Sequence, residues 1–282
     1  MSTGLHRSLL FLPASNPKAI SKARTLPADV VILDLEDAVA PEAKVEARAA
    51  AVAAISGGGF GTRKLVVRVN GLDTEWGRDD IAALVDADVS TILAPKVSTA
   101  ADVTAYAGQL AGSDVGLWVM IETPRSLLRL DEIGELASHG CLRAFVLGTN
   151  DLAKDLGAQL DVGRVPFLGF LGLAVAAARA HGILVFDGVF NDIDDDTGFV
   201  AQARQAVSFG FDGKTLIHPR QIDLCNAAFA PDMAAITWAK NVVAAFSEPQ
   251  NRGKGAIRLD GKMVERLHLV QATGILARAR IS

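Results

Sequence analysis

Val30-Val-Ile-Leu-Asp-Leu-Glu36 is an apolar, largely β-branched run that closes on acids, and Pro41 then opens the alanine-rich segment Glu42–Ile55. A strand, a short loop and a helix begun by proline is the elementary unit of a parallel sheet. The same unit recurs along the chain. Strands are expected at Ser8–Pro13, Val30–Glu36, Lys64–Asn70, Ser90–Lys96, Gly116–Glu122, Arg143–Thr149, Ile183–Gly188 and Thr215–His218. Alanine-rich segments of helical period lie between them. Eight such units is the number that closes a (β/α)8 TIM barrel, the expected α/β fold. Periodicity does not report closure, so an open doubly wound sheet remains the alternative at this point.

The 282 residues, 50% hydrophobic and 21% charged, suit one large core. The expected organisation is a barrel catalytic domain over residues 1–248. A polar, glycine-bearing linker and a C-terminal helical lid extension follow over 249–282, with Pro231–Phe246 as the preceding helix. From Arg258 to Ser282, the positions Met263, Leu267, Val270, Ile275 and Leu276 read as one more helix that docks onto something. A net charge of −4 gives no basic surplus for a phosphate backbone, so nucleic acid is not expected as a partner. Cys141 and Cys225 are too few for a disulfide framework, and no apolar run reaches the roughly 20 residues that span a bilayer. A cytoplasmic protein without membrane association is expected.

In such a barrel the reactive groups sit where strands end. Those ends carry Glu36-Asp37, Arg68 and Asn70, Lys96, Glu122, Asp151, Asp187 and His218. Both signs recurring around one rim suggest a site for an anionic ligand and a metal. Glu122 and Asp151 close neighbouring strands, and hard oxygen donors without nearby imidazoles favour Mg2+. Read otherwise, they are solvent-facing loop acids or ion-pair partners. Arg68 is placed to clamp a carboxylate or an enolate oxygen, or to neutralise Glu36-Asp37, and Lys96 is a second cation for the substrate. Gly57-Gly-Gly-Phe-Gly61 precedes a strand and so reads as a connector instead of a phosphate loop, while Asn191–Asp196 has the wrong spacing for a calcium loop.

Several strings together resemble one family. Arg7-Ser-Leu-Leu-Phe-Leu-Pro13, Val31-Ile-Leu-Asp-Leu-Glu-Asp-Ala-Val39 with Lys44 and Arg48, Val67-Arg-Val-Asn70, Ala94-Pro-Lys96, Ile121-Glu-Thr123 and Ile217-His-Pro-Arg-Gln-Ile222 are similar to the citrate lyase β-subunit and malyl-CoA lyase family. The resemblance implies an Mg2+-dependent carbon–carbon lyase. It would join or split acetyl- or propionyl-coenzyme A and a 2-keto acid, with coenzyme A as part of the substrate. It implies Glu122 and Asp151 as metal ligands, Arg68 as the substrate arginine, and a homo-oligomer, a trimer or a multiple, whose C-terminal lid covers a neighbour's site. Gly261-Lys-Met-Val264 matches the start of that lid.

Two departures stand out against the family pattern. Glu265 occupies the place of the lid's acid–base aspartate, one methylene longer. Asn16 stands where the family's first loop has an arginine, which leaves Lys18 or Lys22 to meet the coenzyme's phosphates. Glu265 is the candidate for a proton transfer, with Glu36 and Asp37 holding Arg68 or a water. Hydrolysis of the same thioester and a non-catalytic subunit role are the competing functions. The keto acid, the acyl group and the direction of reaction are not fixed by strand patterns.

Overall fold

A computed structural model describes residues 5–138 and 140–281. Two compact units emerge, one spanning His6–Phe229 and the other beginning at Ala230.

The first unit is a closed barrel of eight parallel strands in sequence order. They are β1 (Ser8–Pro13), β2 (Val30–Asp34), β3 (Lys64–Arg68), β4 (Thr91–Val97), β5 (Gly116–Ile121), β6 (Leu142–Leu147), β7 (Leu184–Asp187) and β8 (Gly213–Leu216). Closure is made by β1 against β8, with Ser8 opposite Lys214 and Leu10 opposite Leu216. Each expected strand is present, and the open-sheet alternative is excluded.

Side-chain alternation explains why these runs are apolar throughout, since one parity fills the barrel and the other meets the helices. Leu9, Val30, Ile32, Val66, Leu93, Trp118, Met120, Ala144, Val146 and Phe186 form the interior cluster. Val31, Leu33, Val67, Ile92, Val119 and Phe145 face outward into a second, larger cluster with the helices. The inward parity, carried past the apolar layers, decides where function lies. After Val30 and Ile32 it reaches Asp34 and Glu36; after Val66, Arg68 and Asn70; after Met120, Glu122; after Val146, Gly148. Several of these lie one or two residues beyond the last ladder pair, which is why the expected strands ran too long.

β4 breaks the rule. Counting alternately from Leu93, Lys96 would point to the helices. A register shift between Ala94 and Val97 and a left-handed φ of 52° at Lys96 re-aim it toward the barrel mouth.

The second unit has its own small core of Ala239, Val242, Phe246, Ile257, Val264, Ala272 and Ile275. Helices Met233–Ser247 and Arg266–Ile281 enclose it with an antiparallel pair, β9 (Ala256–Leu259) and β10 (Lys262–Glu265). The stretch expected to be helical from Arg258 therefore starts as a hairpin. Asp260 and Gly261 both take positive φ, 49° and 78°, the two-residue turn that an Asp-Gly pair favours. Of the positions read as a docking stripe, Ile275 is buried, whereas Met263, Leu267 and Val270 are 70%, 61% and 74% exposed. Among the described residues no helix is long and apolar enough to cross a membrane.

Candidate active site

Arg68, at the end of β3, is fixed before any ligand arrives. Its Nε and Nη2 donate to Asp34 Oδ1 and Oδ2 at 2.7 and 2.6 Å, a two-pronged bond between neighbouring strands. The same carboxylate accepts the backbone N–H groups of Glu36 and Ala38, so it also shapes the loop after β2. Nη1 lies 2.7 Å from Glu36 Oε2 and 3.8 Å from Asp37 Oδ2, and the guanidinium sits 5.1 Å above the Phe11 ring. Burial works against the charge, but Asp34 and Glu36 outweigh it and hold the pKa above the usual arginine range. Arg68 is a permanent cation here.

Lys44 supports the same loop from below. Its buried ammonium donates to the carbonyls of Leu35 and Glu36, each at 2.7 Å. Asp80, fully buried, takes the N–H and side-chain amide of Asn70 and the Nε of Arg48. The Asp-Leu-Glu-Asp loop and the end of β3 are thereby tied to the helices behind them.

Glu122 closes β5 at 1% exposure. Its Oε1 accepts the backbone N–H of Lys96 at 2.7 Å, while its Oε2 is buried without a hydrogen-bond partner. Burial pushes the Glu122 carboxyl up, against the pull of the Lys96 and Arg68 charges. The carboxylate can sit there only because residue 148 is glycine. A Cβ on Gly148 would fall onto the Glu122 side chain, 2.5 Å from Oε2. Asp151 follows on the helix Thr149–Leu156.

Lys96 joins the two halves of the site. Its Nζ lies 3.0 Å from Asp151 Oδ2 and 3.8 Å from Glu122 Oε1 on one side, and 3.6 Å from Asp37 Oδ2 and 3.8 Å from Glu36 Oε1 on the other. Burial opposes its charge, but Glu122, Asp151, Glu36 and Asp37 overcome this and raise its pKa. Glu36 feels the opposite balance: burial, then its acidic neighbours Glu122 and Asp37, outweigh Arg68 and lift it to about 7. It can therefore gain or lose a proton near neutrality.

The residues expected at the rim divide clearly. Arg68, Glu36, Asp37, Lys96, Glu122 and Asp151 come together through the contacts above. Lys18 and Lys22 are exposed on the helix Pro17–Ala23, whose N-terminus Asn16 caps by accepting from Ala19. Glu265 ends β10 in the second unit, where its N–H donates to His268 Nδ1. Asp187 does not join the cluster. It is fully buried between Lys214 Nζ at 2.8 Å and Arg164 Nη1 at 2.6 Å, and those two cations hold its carboxyl below the usual range against the effect of burial. It clamps the loop before Leu168 to β7 and β8. Sequence reasoning missed Asp34, although it shares the inward parity of Glu36, and missed Gly148 as the space for Glu122.

A divalent ion fits the residues present. Among the described residues no three His, Cys, Asp or Glu side chains converge as a ready metal cage. Glu122 and Asp151 nevertheless share one cation already, the Lys96 ammonium, and Glu122 keeps a buried oxygen with no donor. Around them five acids, Asp34, Glu36, Asp37, Glu122 and Asp151, stand against the cations Arg68, Lys96 and Lys44, an acid excess. Two hard carboxylates are the kind of donor set that Mg2+ takes, with water and substrate oxygens completing its shell.

A closed barrel with this charged mouth defines a (β/α)8 enzyme. The profile of the HpcH/HpaI aldolase/citrate lyase family matches residues 7–219, and the chain belongs to that family. A (3S)-malyl-CoA thioesterase of Cereibacter sphaeroides is 46% identical over 273 residues, 97% of this chain and 94% of that protein. An L-malyl-CoA/beta-methylmalyl-CoA lyase of the same species is 37% identical, covering 98% of this chain and 95% of the relative. The crystal structure of CitE from Mycobacterium tuberculosis with magnesium, acetoacetate and coenzyme A aligns over 99% of this chain and 100% of that one. Its TM-score is 0.79 at 32% identity. The chain is thus an enzyme of a lyase family whose relatives act on coenzyme A thioesters.

Proposed function

We propose that the chain cleaves, or forms, a short 3-hydroxyacyl-coenzyme A of the malyl, citramalyl or citryl kind, giving a 2-oxo acid and acetyl- or propionyl-coenzyme A. The observation that carries this is that Lys96 contacts Glu122 and Asp151 and also Glu36, the partner of Arg68, at one end of the barrel. Glu122 and Asp151 would hold Mg2+, which when bound supplies Lewis-acid polarisation of a chelating oxo acid.

The chain's own residues do the rest. Arg68, pinned by Asp34, offsets negative charge that develops as the carbon–carbon bond breaks, with no reorganisation needed at that moment. In the cleavage direction the hydroxyl loses its proton to a base and becomes the oxo group. The bonding pair moves onto the thioester as an enolate, whose carbon then takes up a proton. Glu265 is assigned one of these transfers, reaching the barrel of a neighbouring copy in a homo-oligomer. Glu36 and Asp37 hold Arg68 and a water, Lys96 meets a substrate carboxylate, and Lys18 and Lys22 meet the coenzyme's phosphates. A reducing cytoplasm is the proposed compartment.

Hydrolysis of the thioester is the second reading, favoured by the thioesterase relative. One assay separates them. Malyl-coenzyme A is incubated with Mg2+ or EDTA, and glyoxylate is followed as its hydrazone beside free thiol. The lyase yields glyoxylate without free thiol; hydrolysis yields free thiol and malate without glyoxylate. Turnover unchanged by EDTA and by Glu122→Ala contradicts the metal-dependent site in both readings.

A further inference from the structure

The Lys96 ammonium occupies the space between the two acids assigned to the metal. It is 3.0 Å from Asp151 Oδ2 and 3.8 Å from Glu122 Oε1. Magnesium binds carboxylate oxygens at about 2.0–2.1 Å. An ion on those oxygens would have a like-charged ammonium nearly in its coordination sphere, and such repulsion is strong where water is partly excluded. The two cations exclude each other.

The backbone prevents Lys96 from leaving altogether. The bulge in β4 and the left-handed φ of 52° fix its Cα at the mouth, and its N–H is bonded to Glu122 Oε1 at 2.7 Å. The side chain itself is long and 41% exposed, and a second pair of acids is already in reach. Asp37 Oδ2 lies at 3.6 Å and Glu36 Oε1 at 3.8 Å. A rotation about the lysine stem exchanges one acidic pair for the other without breaking the backbone bond.

We propose that Lys96 is a tethered competitor for the metal. In the metal-free chain it holds Glu122 and Asp151 together, and on metal binding its ammonium gives them up and stays with Glu36 and Asp37. This rests on the metal site of the proposed function, but the role of Lys96 stands or falls separately. Removing the ammonium while keeping the stem makes metal binding tighter. A structural lysine, by contrast, would leave affinity unchanged or weaken it when lost.

Mn2+ titrated into substrate-free protein, with free ion read by its paramagnetic resonance signal, tests this on the parent, Lys96→Met, Lys96→Arg and Glu122→Gln. Far-ultraviolet circular dichroism and the Tm in EDTA check folding. K96M is expected to bind Mn2+ on the order of tenfold more tightly than the parent, within the usual range of site-to-site coupling. Its Tm in EDTA is lower, and its rise on adding Mn2+ is larger. K96R keeps the competitor and binds no tighter than the parent. Should K96M bind Mn2+ as the parent does, or more weakly, while E122Q abolishes binding, the competitor role is overturned and the metal site stands. Absence of Mn2+ binding in the parent and in K96M alike overturns both.

Discussion

Gly148→Ala converts the account of the site into a measurable cost. A Cβ at this position falls on the Glu122 side chain and lies 2.5 Å from Oε2 and 3.1 Å from Met120 Cε. Ordinary contacts begin near 3.4 Å, so the carboxylate must retreat by roughly 1 Å, and Met120 behind it belongs to the packed barrel interior. Overpacking of that kind costs about 1–3 kcal/mol. The catalytic penalty is larger in proportion, because about 1 Å of misplacement in a reacting constellation costs on the order of 100-fold in rate. The variant should therefore unfold at lower denaturant, with an unchanged slope, and lose kcat by about two orders of magnitude with malyl-coenzyme A. A kcat within threefold of the parent, in a variant destabilised as expected, would show that Glu122 does not need the position described.

Three further outcomes follow from the buried charges. Asp34→Ala strands Arg68 without its two-pronged partner, and breaking a buried pair in this way costs about 3–5 kcal/mol, read by chemical denaturation beside kcat. Asp187→Ala leaves Lys214 and Arg164 buried together without a counter-charge; a similar stability loss is expected, and a destabilisation below about 1 kcal/mol would deny the clamp. Glu36 has a folded pKa of about 7 against an ordinary 4.5, so the unfolded chain releases this proton first and rising pH favours unfolding between those values. The stabilisation from its protonated form is present below pH ~4.5 and lost by pH ~7; Glu36→Gln should flatten that part of the stability profile, and an unaltered profile would remove Glu36 as its source.

The barrel was legible because its strands obey two simple rules, apolar runs of strand length and proline or alanine-rich helices between them. The ends of β2, β3 and β5 were less so. Glu36, Asn70 and Glu122 continue the inward parity of their strands, and pattern alone does not say where ladder bonds stop. The rim acids and Arg68 could be found for the same reason, as polar residues in step with the interior layer. Lys96 belongs with them only through a bulge that resets its parity, a backbone event that depends on the neighbouring strand. The Asp187–Lys214–Arg164 clamp joins residues distant in sequence, and only the closed fold brings them into contact. In the C-terminal unit Met263 is in helical step with Leu267, yet the Asp260-Gly261 turn signal places Met263 in a hairpin and the helix begins only at Arg266.

Diffraction from crystals soaked in Mn2+ and a 2-oxo acid, recorded for the metal's anomalous signal, tests the placement of the chemistry most directly. The expected peak is bonded to the Glu122 and Asp151 carboxylates, with Lys96 Nζ withdrawn from Asp151 and Arg68 still paired to Asp34. A peak elsewhere, or none, with Lys96 Nζ remaining 3.0 Å from Asp151 Oδ2, would contradict it.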